Sequence, residues 1–83
     1  MKRYSILIVD DEEIVLKSIG VDLKDKGYNV TLAKSGEEAI RLLSEGSNKS
    51  VFDLVITDLM MEGVDGIGVL KEAKKIDPAI KVI

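Results

Sequence analysis

Two short apolar runs in this chain end directly in carboxylates. Residues 6–9 (ILIV) lead into Asp10 and Asp11, and residues 54–57 (LVIT) lead into Asp58. Short runs rich in β-branched residues and bounded by charge are typical of buried strands in a parallel sheet. Parallel strands present their carboxyl ends at one edge, where open α/β sheets bind ligands, so we expect the three acids to meet there. Carboxylates so close together repel one another. The pattern therefore predicts a cation site.

The composition limits which ligands that cation site can use. The 83 residues include no Cys and no His, so any metal must be bound through oxygen rather than thiolate or imidazole. No apolar segment approaches the ~20 residues that span a bilayer, and no signal-peptide pattern follows Met1, so we expect a cytoplasmic location without membrane contact. The net charge of −3 and the scattered Lys and Arg argue against direct binding of nucleic acid. The length allows one domain at most.

The rest of the chain alternates between strand and helix patterns. Strands are predicted at residues 5–9, 28–33, 51–57 and 80–83, and helices at 12–26, 35–45 and 66–76. Gly27 ends the first helix, Ser35 and Glu38 have the spacing of a capping box, and Pro78 follows the third helix. This alternation with short links predicts a parallel sheet covered by helices on both faces. The residues predicted to face the core are Ile14, Val15, Ile19 and Leu23 in the first helix, Ala39, Ile40, Leu42 and Leu43 in the second, and Ile67, Val69, Leu70, Ala73 and Ile76 in the third.

Three segments resemble a known protein family. They are IVDDE at residues 8–12, AKSGEEA at residues 33–39, and DLVITDLMM at residues 53–61 continuing to the DG pair at 65–66. In these segments the chain resembles the receiver domains of bacterial two-component response regulators, and the similarity extends along its whole length. The resemblance implies a flavodoxin-like (CheY-like) α/β fold with a doubly wound parallel sheet in the order 2-1-3-4-5. Residues 1–83 would then form the N-terminal part of a receiver domain.

The resemblance also assigns roles to the acids. In receivers of this pattern, the Asp that closes the third strand accepts a phosphoryl group from a histidine kinase or a phosphotransfer protein, which here implies Asp58. The expected Mg²⁺ ligands are Asp10, Asp11, Asp58 and the backbone carbonyl of Met60. A hard cation suits this chemistry, because a carboxylate nucleophile and a phosphoryl donor are both anionic. Phosphoryl transfer of this kind needs no general base from the chain. We therefore expect a phosphoacceptor signalling domain rather than an enzyme.

Other interpretations of these residues remain open. The acids at 10–12 could simply favour the first turn of a helix. The side chains of Met60 and Met61 are interpreted as packing residues of a loop, separately from the backbone of Met60. Asp53 opens the third strand at the opposite edge of the sheet, so we interpret it as a solvated strand start. The glycines in residues 63–68 lack the order of a nucleotide-binding loop, and Gly66 is assigned to the turn into the third helix.

Two departures from the receiver pattern lead to further expectations. Glu62 stands where receivers usually carry Pro, and the resemblance stops early in the fourth strand. The hydroxyl residue, the last strand with its Lys, and the last two helices of a receiver have no counterpart, and Lys81 would lie about 10–15 Å from the acids. One alternative is therefore a truncated structural fragment that binds metal but cannot complete the phosphorylation switch. An open fourth strand and an uncovered sheet face also predict a homo-oligomer, with exchange of an element around that strand as one route.

A third functional class also uses a strand-end Asp nucleophile with Mg²⁺. Aspartyl-phosphate hydrolases share these two features with the receiver pattern. They usually carry a second acid two residues after the nucleophile, where this chain has Met60. The sequence therefore favours a phosphoacceptor over a hydrolase.

Overall fold

Strands and helices alternate along the computed structural model, which describes residues 3–45 and 52–83. The predicted elements are all present, and their ends lie within one residue of the predicted ones except at the start of the third strand, which begins at Leu54. Residue 51, predicted to begin the third strand, lies outside the described residues. The elements are β1 (Ser5–Val9), α1 (Glu13–Asp25), β2 (Asn29–Ala33), α2 (Gly36–Ser44), β3 (Leu54–Thr57), α3 (Gly66–Ile76) and β4 (Lys81–Val82).

The four strands form one parallel sheet in the order β2-β1-β3-β4. The predicted parallel sheet and its order over these strands are confirmed. In this register Val9, the last residue of β1, lies between Ala33 of β2 and Thr57 of β3. The two central strands therefore end at the same level, and the residues that follow them emerge side by side.

The sheet has apolar residues on both faces, and alternate residues of β1 divide between them. Leu7 and Val9 face α2 and α3, whereas Ile6 and Ile8 face α1. The first face carries the larger buried cluster, made of Leu7, Val9, Ala33, Ala39, Leu43, Phe52, Val55, Val69, Ala73 and Ile80. On the second face the buried cluster among the described residues is smaller and consists of Ile6, Ile8 and Leu16, with half-buried apolar residues around it. Among the described residues, no helix is both long and apolar enough to cross a membrane.

The predicted core face of α1 is wrong at its first two positions. The Ile14 side chain is 82% exposed and Val15 is 36% exposed, whereas Leu16 is 1% exposed. The residues of α1 that face the sheet are Leu16, Ile19, Gly20 and Leu23. A β-carbon at Gly20 would lie only 3.1 Å from a methyl group of Leu32, so this glycine lets α1 approach β2 closely. Two apolar stripes fit the helical period in α1, and the position of the sheet decides which of them is buried.

The predicted core face of α3 is also only partly right. Val69 and Ala73 are buried and Ile76 packs against the larger cluster. Ile67 is 52% exposed and Leu70 is 37% exposed, so both lie outside the core. The helix buries a narrower stripe than its apolar residues indicate, because it contacts the sheet and α2 along one side only.

The predicted capping box begins α2. The hydroxyl oxygen of Ser35 accepts a hydrogen bond from the backbone N–H of Glu38 at 3.0 Å. The Glu38 carboxylate accepts in return from the N–H of Lys34 at 3.2 Å, one residue earlier than in the usual box. Both bonds satisfy donors that have no partner within the helix.

Replacing Ser35 with Ala is expected to lower the free energy of unfolding by about 1 kcal/mol, because the N–H of Glu38 loses its acceptor. Urea denaturation measures this change. Ser44→Ala is the matched control, because the Ser44 hydroxyl donates to the carbonyl of Ile40 at the other end of α2. Its effect should stay within about 0.5 kcal/mol. Equal losses in the two variants would contradict a capping role for Ser35.

Candidate metal and phosphoacceptor site

The carboxylates of Asp10, Asp11 and Asp58 meet at the carboxyl edge of the sheet. One oxygen from each residue lies within 4.8 Å of the corresponding oxygens of the other two. We call these three residues the acid cluster. Asp10 and Asp58 are half-buried and Asp11 is exposed, so the cluster is open to a ligand from solvent.

The main-chain ladder of the sheet sets the spacing between Asp10 and Asp58. The N–H of Asp58 donates to the carbonyl of Val9 at 3.0 Å, and the N–H of Asp10 donates to the carbonyl of Ala33 at 3.2 Å. Each acid is therefore bonded to the strand beside its own at the point where its strand ends. The distance between the main chains of Asp10 and Asp58 follows from strand pairing, which is far more rigid than an exposed loop.

Main-chain donors then orient two of the carboxylates. Oδ1 of Asp10 accepts from the N–H of Glu12 at 2.9 Å, and Oδ1 of Asp58 accepts from the N–H of Met60 at 3.2 Å. In both cases the donor is two residues beyond the acid, the pattern of an Asx turn. The sequence interpretation missed these two donors, although an Asp directly after a strand is the signal that could have identified them. Each carboxylate retains its other oxygen for a ligand.

The helix-start interpretation does not account for Asp10 and Asp11. Helix α1 begins at Glu13, which is the acid in its first turn, and no side chain caps it. The carboxylate of Asp10 bonds the N–H of Glu12, which precedes the helix. Both aspartates therefore lie in the turn between β1 and α1, facing Asp58 across the sheet edge.

The lysine nearest in sequence to this turn has another partner. Lys17 forms an ion pair with Glu13 at 3.1 Å. The hydrogen bond from Lys17 and the charge of Lys17 are the main causes that hold the pKa of the Glu13 carboxyl below its usual value. The charge of Lys34 makes a smaller contribution in the same direction. No Lys or Arg lies within 4.0 Å of the acid cluster in the part of the chain that the structure describes. The charge of the cluster is therefore not balanced by a described side chain.

The two methionines that follow Asp58 differ from each other. The side chain of Met60 is 84% exposed, so its interpretation as a packing residue is wrong. Met61 is half-buried and packs against the larger core cluster, in agreement with that interpretation. The contribution of Met60 to the site is therefore made by its main chain.

Asp53 lies at the opposite end of β3, as its position in the sequence predicts. It is half-buried rather than simply solvated, because its Oδ2 accepts from the N–H of Ser5 at 2.8 Å. The N–H of Asp53 also donates to the carbonyl of Ser5 at 2.8 Å. Asp53 thus joins the beginnings of β1 and β3 and takes no part in the acid cluster.

The profile of the response regulator receiver domain family matches residues 6–83. The chain belongs to this family. The receiver domain is similar to the transcriptional regulatory protein GlrR of Escherichia coli K12, with 41% identity over 82 residues. That alignment covers 99% of this chain and 18% of GlrR. The chain therefore spans less than a fifth of the length of this relative.

Solved structures of receivers have the same fold. A receiver domain protein from Clostridium thermocellum superposes with a TM-score of 0.87 at 38% identity, over 95% of this chain and 61% of that one. The response regulator TrrA of Thermotoga maritima, solved in complex with Mg²⁺ and BeF, gives a TM-score of 0.84 at 34% identity, over 95% of this chain and 65% of TrrA. TrrA has also been solved in complex with the histidine kinase ThkA, with a TM-score of 0.82 to this chain. The predicted CheY-like fold and membership in the receiver family are confirmed.

Proposed function

We propose that this receiver domain accepts a phosphoryl group on Asp58 from the phosphohistidine of a sensor histidine kinase or phosphotransfer protein. The observation that carries the proposal is the acid cluster, in which Asp58 ends a central strand beside Asp10 and Asp11. The similarity to TrrA, which was crystallised with a histidine kinase, supports the class of partner.

The donors of the acid cluster fit Mg²⁺. They are three carboxylates without a described counter-cation, and Mg²⁺ prefers oxygen ligands from one or two carboxylates together with water and phosphate. Asp10, Asp11 and Asp58 would hold the ion, and the main-chain carbonyl of Met60 would complete the protein ligands. When bound, Mg²⁺ supplies positive charge that offsets the repulsion between the Asp58 carboxylate and an incoming phosphoryl group.

The proposed transfer uses the carboxylate of Asp58 as the nucleophile. One Asp58 oxygen forms a bond to phosphorus while the bond from phosphorus to the donor's imidazole nitrogen breaks. The electron pair of that bond stays on the imidazole, which leaves neutral when its other nitrogen carries the proton. The N–H of Met60 orients the Asp58 carboxylate by donating to its Oδ1. A carboxylate nucleophile has no proton to lose, so the step requires no general base.

The side chain at the position two residues after Asp58 argues against a hydrolase. Met60 stands there with an exposed thioether, which cannot activate a water molecule. Among the described residues, no fourth carboxylate joins the three aspartates of the acid cluster. The phosphorylated form is therefore the expected product of the reaction, as a signalling domain requires.

We also propose that this chain self-associates through the sheet face beside α1. An open cleft of about 370 Å³ lies on that face, lined by Tyr4, Ile6, Leu23, Tyr28, Asp53, Leu54, Ile56 and Lys81. Strand β4 is two residues long and lies at the edge of the sheet among the described residues. An apolar cleft beside a sheet edge favours association with a second copy.

Light scattering coupled to gel filtration tests this proposal, and we expect a mass above that of the monomer that increases with protein concentration. Tyr4→Glu, which places a charge at the rim of the cleft, should shift the equilibrium toward the monomer. Val21→Glu is the matched control, because Val21 is 59% exposed on α1 outside the cleft. A monomeric mass at every concentration would contradict self-association.

A further inference from the structure

The first residue of α3, Gly66, lies against the main chain that carries the acid cluster. A β-carbon placed on Gly66 would be 2.4 Å from the carbonyl oxygen of Asp58 and 2.8 Å from the α-carbon of Leu59. The N–H of Gly66 also donates to the carbonyl of Leu59 at 3.3 Å. Gly66 is buried, so this contact is closed to solvent.

The backbone conformation of Gly66 does not itself require glycine. The glycines with positive φ in the described chain are Gly27 and Gly63, whereas Gly66 is part of a right-handed helix. Alanine is the better helix former at such a position. Residue 66 must therefore lack a side chain, because the main chain of Asp58 and Leu59 occupies the space that a β-carbon would fill.

A methyl group at this position would displace the segment that holds Asp58. Its contacts are backbone atoms, which cannot turn away as the end of a flexible side chain can. The same segment continues to Met60, whose N–H orients the Asp58 carboxylate. A shift of a few tenths of an ångström would therefore reach both the carboxylate and its donor.

Gly68 provides a comparison within the same helix. A β-carbon there would meet a methyl group of Val64 at 2.8 Å and Oδ1 of Asp65 at 3.6 Å. Both neighbours are side-chain atoms that do not belong to the acid cluster. Alanine at residue 68 therefore makes the same chemical change two residues further along the same helix, without touching the main chain of Asp58.

We propose that Gly66 is a positioning residue for the acid cluster. Its missing side chain lets the main chain from Asp58 to Leu59 rest directly on α3, and this contact sets the position of the Asp58 carboxylate relative to Asp10 and Asp11. The inference rests on the proposed function, because its consequence is the affinity of the cluster for Mg²⁺. Gly66 is not among the residues proposed to hold the metal or the phosphoryl group, and it acts through Asp58.

The test compares Mg²⁺ binding by the wild-type chain, Gly66→Ala and Gly68→Ala. Calorimetric titrations are made well below each melting temperature, after circular dichroism has shown that each variant is folded. Loss of groups that orient metal ligands typically weakens binding about 10- to 100-fold, and we expect that range for Gly66→Ala. Gly68→Ala should bind within about threefold of the wild type. A folded Gly66→Ala chain that binds as tightly as Gly68→Ala would overturn the proposal.

Two further outcomes are distinguishable. If Gly66→Ala is unfolded in buffer, the titration is repeated with trimethylamine oxide, which favours the folded state. Failure to fold even then would overturn the proposal, because Gly66 would serve the fold as a whole. If the wild-type chain does not bind Mg²⁺, the proposed function fails instead. The positioning role of Gly66 is then tested by the amide ¹⁵N and ¹H chemical shifts of Asp58 and Met60. These shifts should change more in Gly66→Ala than in Gly68→Ala.

Discussion

Asp58→Asn is expected to abolish phosphorylation of this chain. Incubation of the wild type with Mg²⁺ and a small acyl phosphate should add the mass of one phosphoryl group, and the variant should show none. The amide of Asn keeps the oxygen that accepts from the N–H of Met60, so local structure is preserved while the nucleophilic carboxylate is lost. Intact-protein mass spectrometry measures the phosphorylated fraction directly.

Asp65→Asn is the matched control for this experiment. Asp65 lies between Asp58 and α3, outside the acid cluster, and its carboxylate caps α3 by accepting from the N–H of Gly68 at 2.9 Å. Asn caps helices as well as Asp does, so this variant should be phosphorylated like the wild type. A mass gain in Asp58→Asn equal to that of the wild type would contradict the assignment of Asp58. A wild-type chain that binds Mg²⁺ without any gain would favour the metal-binding fragment that cannot complete the switch.

Mg²⁺ is expected to raise the melting temperature of the chain strongly. A ligand that binds only the native state adds about 2.7 kcal/mol to the free energy of unfolding at a concentration 100 times its dissociation constant. In a domain of this size each kcal/mol corresponds to about 4–8 °C, so the expected rise is roughly 10–20 °C. Thermal denaturation with and without MgCl₂, at constant ionic strength, measures it.

Without metal, Asp10→Asn and Asp58→Asn should each stabilise the chain. The carboxylate oxygens of the cluster lie within 4.8 Å of one another, and two unit charges at such a distance repel by about 1 kcal/mol in a water-like dielectric. Asn keeps the hydrogen bond to the N–H of Glu12 or Met60, so removal of charge is the main change. Both variants should gain stability and lose most of the response to Mg²⁺.

Asp65→Asn again serves as the control, because it neutralises an aspartate that lies outside the cluster. High salt should reduce the gains of the two cluster variants, since it screens exposed charges. If both variants lose stability and Mg²⁺ leaves the melting temperature unchanged, the three acids do not form a cation site.

Much of the fold could be predicted because its signals are local. Each strand is a short apolar run bounded by charge, and each helix shows its own period and start or stop residues. Parallel pairing follows from the alternation of these elements, which leaves few topologies. The meeting of Asp10, Asp11 and Asp58 at one edge requires only that the first and third strands end at the same level.

The helix faces could not be predicted with the same success, because burial depends on where a neighbouring element lies. Ile14 and Leu16 are both large aliphatic residues near the start of α1, yet one is 82% exposed and the other 1%. Ile67 and Val69 differ in the same way at the start of α3. The periodicity of a helix offers several apolar stripes, and packing against the sheet selects one.

The sequence by itself determined the acids, their oxygen-only chemistry and the strands that carry them, because residue type and period are local properties of the chain. The tertiary structure decided what depends on distant segments coming together. It paired Asp53 with Ser5, 48 residues away, and exposed the side chain of Met60. It also placed Gly66 against the main chain of Asp58. A turn glycine and a glycine that makes room for a neighbouring backbone are identical in sequence, and only packing distinguishes them.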